Sequence, residues 1–207
     1  EYDPSQPIHI GLDFGLTPAA AIGQKLSNGR WVVLDEIVTE DMGLERFGQQ
    51  LLGEINAKYP KAQILIWGDP AGMQRDAIYE VTAFDYLRTL GLKAQPTASN
   101  NFRVRREGAA APMQRLIEGK PGLMIHTKCK LLRKSLAGGY HFKRIAVGAG
   151  HERFKDSPNK NEHSHIGDAF GYLMLGGGEH RRMTKSPLQA STLIAPTLAK
   201  SDFDVFD

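Results

Sequence analysis

The chain has a single cysteine, Cys129, among 207 residues, which excludes an internal disulfide framework. No run of 18 apolar residues occurs, so no membrane-spanning helix is expected. No secretory leader is visible. A reducing cytoplasm is the expected setting, with Cys129 a buried or incidental thiol. No Cys/His cluster offers a zinc site. No Gly-x-Ser-x-Gly elbow supports a Ser-His-Asp triad. No Gly-x-x-x-x-Gly-Lys-[Ser/Thr] loop is present to cradle a nucleoside triphosphate. No internal repeat appears. The sequence opens on Glu1 rather than methionine, and residues 1–7 read as a linker, so a piece of a longer protein is expected.

Acidic residues are missing from one long stretch. Between Gly119 and His151 there is no Asp or Glu, against Lys120, Lys128, Lys130, Arg133, Lys134, Lys143 and Arg144. Arg103, Arg105 and Arg106 lie just before it. The net charge is only +3, so the bases are clustered rather than abundant. Such clustering suits a polyanion-facing surface; a solvated helix face is the alternative reading.

What is present patterns as a mixed α/β domain of one core, since 41% of residues are hydrophobic. Ile8–Leu12 alternates like a buried strand, Ala19–Leu26 and Trp31–Val38 flank the hairpin signal Asn28-Gly29, and the three read as antiparallel. Residues 43–58 carry Leu44, Phe47, Leu51 and Ile55 at helical spacing, with Asp41 as the expected cap. Ile64–Trp67 reads as a compact strand. A helix over 81–90, a short strand at 93–95, a helix over 104–118 broken at Pro112, a strand at 123–126 and a basic helix over 129–136 follow. A hairpin is expected around Gly148-Ala149-Gly150, then a helix over 163–175. The residues from 179 onward read as a flexible tail.

Three aspartates stand out. Asp13 ends the first strand, where it either delivers a carboxylate or shapes a turn. Asp69 follows Ile64–Trp67 and precedes Pro70, which equally suits a helix cap. Asp168 lies inside a helix on a stripe with His165 and Tyr172, next to the apolar face of Ile166, Ala169, Phe170 and Leu173. A carboxylate there needs a partner, and a metal is one. Because apolar residues suffice to dock that helix, Asp168→Asn is expected to leave folding nearly unchanged. Carboxylates far apart in sequence suit a hard cation such as Mg²⁺ or Mn²⁺, and two ions about 4 Å apart would clamp both oxygens of a phosphodiester displacement.

The runs Gly-Leu-Asp13-Phe-Gly, Trp-Gly-Asp69-Pro-Ala-Gly and Ser164-His165-Ile166-Gly167-Asp168-Ala169-Phe170-Gly171-Tyr172 resemble the nuclease domain of the large terminase subunit of tailed bacteriophages. The resemblance covers about residues 8–178, and the last run carries most of it. It implies a ribonuclease H-like mixed sheet and a Mg²⁺- or Mn²⁺-dependent endonuclease. That enzyme cuts concatemeric viral double-stranded DNA during packaging in the cytoplasm of an infected bacterium. It implies Asp13, Asp69 and Asp168 as catalytic metal ligands. A fourth acid found in some relatives is missing at Leu16-Thr17-Pro18; Glu36 and Asp35 on the third strand are candidate substitutes, and strand parity does not say which points inward. His163 and His165 read as residues behind the ligands or as phosphate contacts. In a full-length protein the partners would be a packaging ATPase domain, the small terminase subunit and the capsid portal. Lys128, Lys130, Arg133, Lys134, Lys143, Arg144, Lys155 and Lys160 are the expected DNA contacts. Three other readings stay open at this point. They are an actin-like or sugar-kinase-like ATPase lobe, a Holliday-junction resolvase, and a noncatalytic module docking on DNA or a portal.

Overall fold

Alternation in the first strand sorts its side chains onto two faces, and the rest of the molecule is layered accordingly. The computed structural model describes residues 2–15, 17–75, 80–146 and 152–179. In chain order the elements are β1 (Ile8–Asp13), β2 (Ala19–Lys25), β3 (Trp31–Val38), α1 (Leu44–Lys58), β4 (Ile64–Gly68), a 3₁₀ turn (Pro70–Met73), α2 (Ala83–Thr89), β5 (Ala94–Pro96) and α3 (Phe102–Met113). Then come β6 (Leu116–Ile117), β7 (Lys120–Pro121), β8 (Leu123–Ile125), α4 (Lys130–Lys134), β9 (Phe142–Ala146), β10 (Glu152–Pro158) and α5 (Ser164–Gly176).

The main sheet has the order β5-β4-β1-β2-β3-β8. β2 runs antiparallel to both its neighbours, β1 and β3, while β4 runs parallel to β1, β5 to β4, and β8 to β3. Ile8, Ile10 and Leu12 of β1 face one side, where Phe47, Leu51 and Ile55 of α1 and Phe84 and Leu87 of α2 cover them. Each such buried side chain contributes about 1.5–3 kcal/mol. Ala19, Ala21, Trp31 and Val33 face the other side, under Ile166, Ala169, Phe170 and Leu173 of α5. Gly11 lies on that side too. A Cβ there would stand 2.1 Å from the Ala169 carbonyl oxygen and 2.3 Å from the Leu173 nitrogen, so α5 rests on the strand backbone itself.

Several expectations are corrected. The residue capping α1 is Gly43, not Asp41, which adopts φ 44° in the preceding turn. α3 accommodates Pro112 in its last turn, and the segment beyond it is a small β6–β7 hairpin rather than helix. The basic helix is short, running into a π-type turn over Ser135–Gly139. Ahead of β1, Tyr2 stacks edge-on against Tyr59 at 5.4 Å, and the Asp3 amide donates to Gln24 Oε1 at 2.8 Å. After α5, Glu179 is fully buried; it accepts from Trp31 Nε1 at 2.8 Å and pairs with Arg115 and Lys25. Those donors outweigh burial and pull its carboxyl down to about 2. The expected turn at 148–150, Leu16 and the tail from 180 lie outside the described residues. No helix among the described residues is long and apolar enough to cross a membrane.

Candidate active site

Leu12 of β1 pairs with Gly68 of the parallel β4, so Asp13 and Asp69 leave adjacent strands side by side. The Asp69 amide donates to the Leu12 carbonyl at 3.3 Å, carrying the pairing one residue further. The turns beyond are locked by an aromatic plug. Phe14 sits against Gly68 and Gly72, where a Cβ would come within 2.7 and 2.6 Å of its ring, and it meets Phe84 edge-on at 5.2 Å. Asp69 also caps the 3₁₀ turn, accepting from the Ala71 amide at 2.9 Å. The cap and the strand-end placement therefore coexist.

α5 brings its stripe to the same end. His165 Nδ1 is 3.0 Å from Asp13 Oδ2. A neutral ring donating from Nδ1 leaves the Nε2 lone pair available to a ligand. Tyr172 stands near Asp69, and besides burial the Asp69 charge helps to raise its phenol. Asp168 is buried, accepts from the Tyr140 hydroxyl at 3.0 Å and from the Lys160 ammonium, and forms an ion pair with Arg105 Nη1 at 3.1 Å. Gly167 makes room for this: a Cβ there would stand 2.6 Å from the Tyr140 ring. Arg105 in turn lies over the Tyr172 ring, 4.6 Å from its centroid.

The electrostatics follow from burial. Desolvation pushes the Asp13 carboxyl up to about 6; the His165 hydrogen bond opposes this, and the charge of Asp168 adds to it. Burial likewise raises the Tyr172 phenol, with Arg105 opposing. Among the described residues no three His, Cys, Asp or Glu side chains form a ready-made cation cage. Asp13 and Asp168 sense each other's charge, and Tyr172 senses both Asp13 and Asp69, while Lys160 and Arg105 supply the counter-charge at Asp168. The donor set nevertheless fits a hard divalent ion. It consists of carboxylate oxygens at strand ends, one of them short of positive charge, with no sulfur among them.

The other candidates divide. Glu36 is engaged elsewhere: its two oxygens accept from the Leu131 and Leu132 amides at 2.9 and 2.7 Å, capping α4. Asp35 pairs with Lys58 and Lys128, and these bonds hold its carboxyl below the usual range despite burial. Lys130, Arg133 and Lys134 are exposed on α4, and Lys143 and Arg144 on β9; Lys155 is exposed on β10. Lys160 is the one of the eight expected DNA contacts that reaches a site aspartate among the described residues. Arg105 and Tyr140 escaped the sequence reading, because nothing local marks a side chain that meets Asp168 across 63 or 28 residues of chain.

The sequence matches no protein-family model, and no curated protein matches it significantly. Solved structures do match in fold. The P22 large terminase nuclease domain aligns with TM-score 0.57 at 12% identity, covering 84% of each chain. The SPP1 large terminase nuclease domain, solved with bound Mn, aligns with TM-score 0.51 at 18% identity, over 81% of this chain and 84% of that one. The large terminase of a thermophilic bacteriophage aligns with TM-score 0.60 at 18% identity. This chain spans 40% of the length of that protein while 84% of it is covered. The fold is therefore the ribonuclease H-like mixed sheet of terminase nuclease domains.

Proposed function

We propose that the chain is the nuclease part of a large terminase, a Mg²⁺- or Mn²⁺-dependent endonuclease that cuts concatemeric viral double-stranded DNA during packaging. The observation that carries this reading is the pairing of Asp13 and Asp69 at the ends of adjacent parallel strands, beneath a helix that presents Asp168 and His165. Asp13, Asp69 and Asp168 would hold the metal, as a pair of ions. Divalent cations bound there would activate the attacking water and stabilise the leaving oxygen of the phosphodiester.

The chain's own residues have separate tasks. His165 of α5 fixes Asp13 and the Ala71 amide fixes Asp69, so both strand-end carboxylates are oriented by hydrogen bonds. Arg105 and Tyr140 hold Asp168. Lys160, mostly exposed, is free to swing between Asp168 and a substrate phosphate. The basic residues of α4 and the β9–β10 hairpin offer charge to the DNA backbone, which gives affinity with little sequence preference. In a full-length protein the partners would be a packaging ATPase domain, the small subunit and the portal, in the cytoplasm of a bacterial host. The domain proper would be residues 8–178, with Tyr2, Asp3 and Glu179 packed against its margins.

The test is direct. Supercoiled plasmid is incubated with the chain, with and without Mg²⁺ or Mn²⁺, beside Asp13→Asn. Metal-dependent nicking lost in the variant is the expected result. Wild-type protein that never nicks would overturn the reading.

A further inference from the structure

A groove runs between α3 and the β9–β10 hairpin, enclosing about 480 Å³ and bordered by Phe102, Phe142 and Phe154 together with Arg103, Arg106 and Lys155. It joins a smaller hollow of about 180 Å³ that shares Phe102, Arg106 and Phe142 and reaches Asp168. Its rings are not core residues. Phe154 is 51% exposed on β10, and Phe102 and Phe142 meet edge-on at 5.5 Å in the groove wall. Single exposed apolar side chains are ordinary on a protein surface. Three phenylalanines interleaved with three cations along one groove are a different pattern, because it offers ring faces and positive charge to the same ligand.

We propose that this groove binds an unpaired DNA strand, stacking a base on Phe154 and holding the flanking phosphates with Arg103, Arg106 and Lys155. Duplex DNA keeps its base faces inside the stack, so an exposed ring gains little from it; an unpaired base offers a free face. Phosphates match the cations in charge and leave the ring to the base. Arg106 pairs with Glu107, its Nη2 2.5 Å from Oε1, but both side chains are about half exposed, so the pair is weak enough for a phosphate to compete with it. The continuity with Asp168 gives the strand a direction: nucleotides freed by opening or cutting at the carboxylates pass along α3 into the groove. The proposal rests on the nuclease reading for the source of that strand, while the stacking contact is independent of metal.

The test uses the full chain in EDTA, so that nothing is cleaved. The probe is an oligonucleotide of about 12 nucleotides carrying 2-aminopurine, set beside a blunt duplex of the same sequence. The wild-type protein should bind the single strand and quench the 2-aminopurine. Phe154→Ala should weaken single-strand binding about fivefold or more and remove the quenching. Phe154→Trp should retain both. Blunt-duplex binding and Mn²⁺-dependent plasmid nicking should change less than about twofold in either variant. Unchanged single-strand affinity in Phe154→Ala would overturn the proposal and leave the rings to a protein partner. Equal losses for single strand and duplex would also overturn it, as a general DNA contact. A wild-type protein that binds and quenches the single strand yet never nicks plasmid would spare the groove and sink the nuclease reading.

Discussion

His165 Nδ1 stands 3.0 Å from Asp13 Oδ2, joining the first turn of the last helix to the end of the first strand across 152 residues of chain. The contact orients a carboxylate that burial has already made reluctant to ionise. It lowers the cost of ionising Asp13 without cancelling that cost. A cation added beside Asp13 would complete the compensation, which sets up the first prediction.

Asp13→Asn should raise the melting temperature at pH 7–8 when divalent metal is withheld by EDTA. The wild-type carboxyl is raised from 3.8 to about 6. Its contribution is therefore fully present below about 3.8 and is lost as pH rises through about 6. Asparagine cannot ionise, so the difference between variant and wild type should be small at pH 4, grow to pH 6 and then level off. A gain of a few degrees is expected, since 1 kcal/mol is worth about 2–4 °C at this size. Melting curves across pH decide it; a variant less stable at pH 8 than at pH 4, relative to wild type, would refute the assignment.

Asp168→Asn should behave in the opposite way, against the expectation drawn from its helix alone. The carboxylate neutralises buried Arg105, and losing one member of such a pair costs about 3 kcal/mol or more. Thermal melting should fall by several degrees, and metal-dependent nicking should vanish. Arg105→Met combined with Asp168→Asn should recover part of the lost stability but none of the cleavage.

Lys160→Met should tighten Mn²⁺ binding several-fold by calorimetry, because the ammonium and the metal compete for Asp168. Lys160 is 64% exposed, so its ion pair adds little stability and the melting temperature should barely move. An unchanged Mn²⁺ affinity would remove Lys160 from the site.

Lys143 and Arg144 changed together to alanine should weaken duplex binding and reduce the slope of log affinity against log salt by up to about 2. Binding measured from low to moderate salt reads both quantities. If neither moved, β9 would be excluded as a phosphate contact.

Gly11→Ala tests the seat of α5. Its methyl would meet helix backbone at 2.1 Å, which no rotamer change can relieve. A loss of about 3 kcal/mol or more is expected, at the upper end of overpacking costs, and Asp13 and Asp168 should lose their mutual influence. Melting and the pH dependence of the first prediction together report it.

How much of this was legible in the sequence follows from the range of each interaction. Alternation in Ile8–Leu12 and the stripe His165, Asp168 and Tyr172 are local periodicities, so the strand, the helix and the facing of its polar side chains could be read directly. The pairing of β1 with β4 depends on a crossover, and only the register Leu12 with Gly68 makes Asp13 and Asp69 neighbours. Glu36 shows the limit clearly. It lies on the central sheet, and nothing in its vicinity in sequence says that α4, some 95 residues later, will present two bare amides to it. The same holds for Arg105 and Tyr140, whose partner is fixed by helix packing rather than by any motif.

The seating of α5 on bare strand backbone also orders the assembly of the molecule in time. Before that helix docks, Ala19, Ala21, Trp31 and Val33 are an open apolar face, and the strand ends hold two carboxylates without the third. A nascent or truncated chain is thus chemically incomplete and adhesive at once. The three carboxylates therefore come together in one step, when α5, the last of the described helices, closes over the strands.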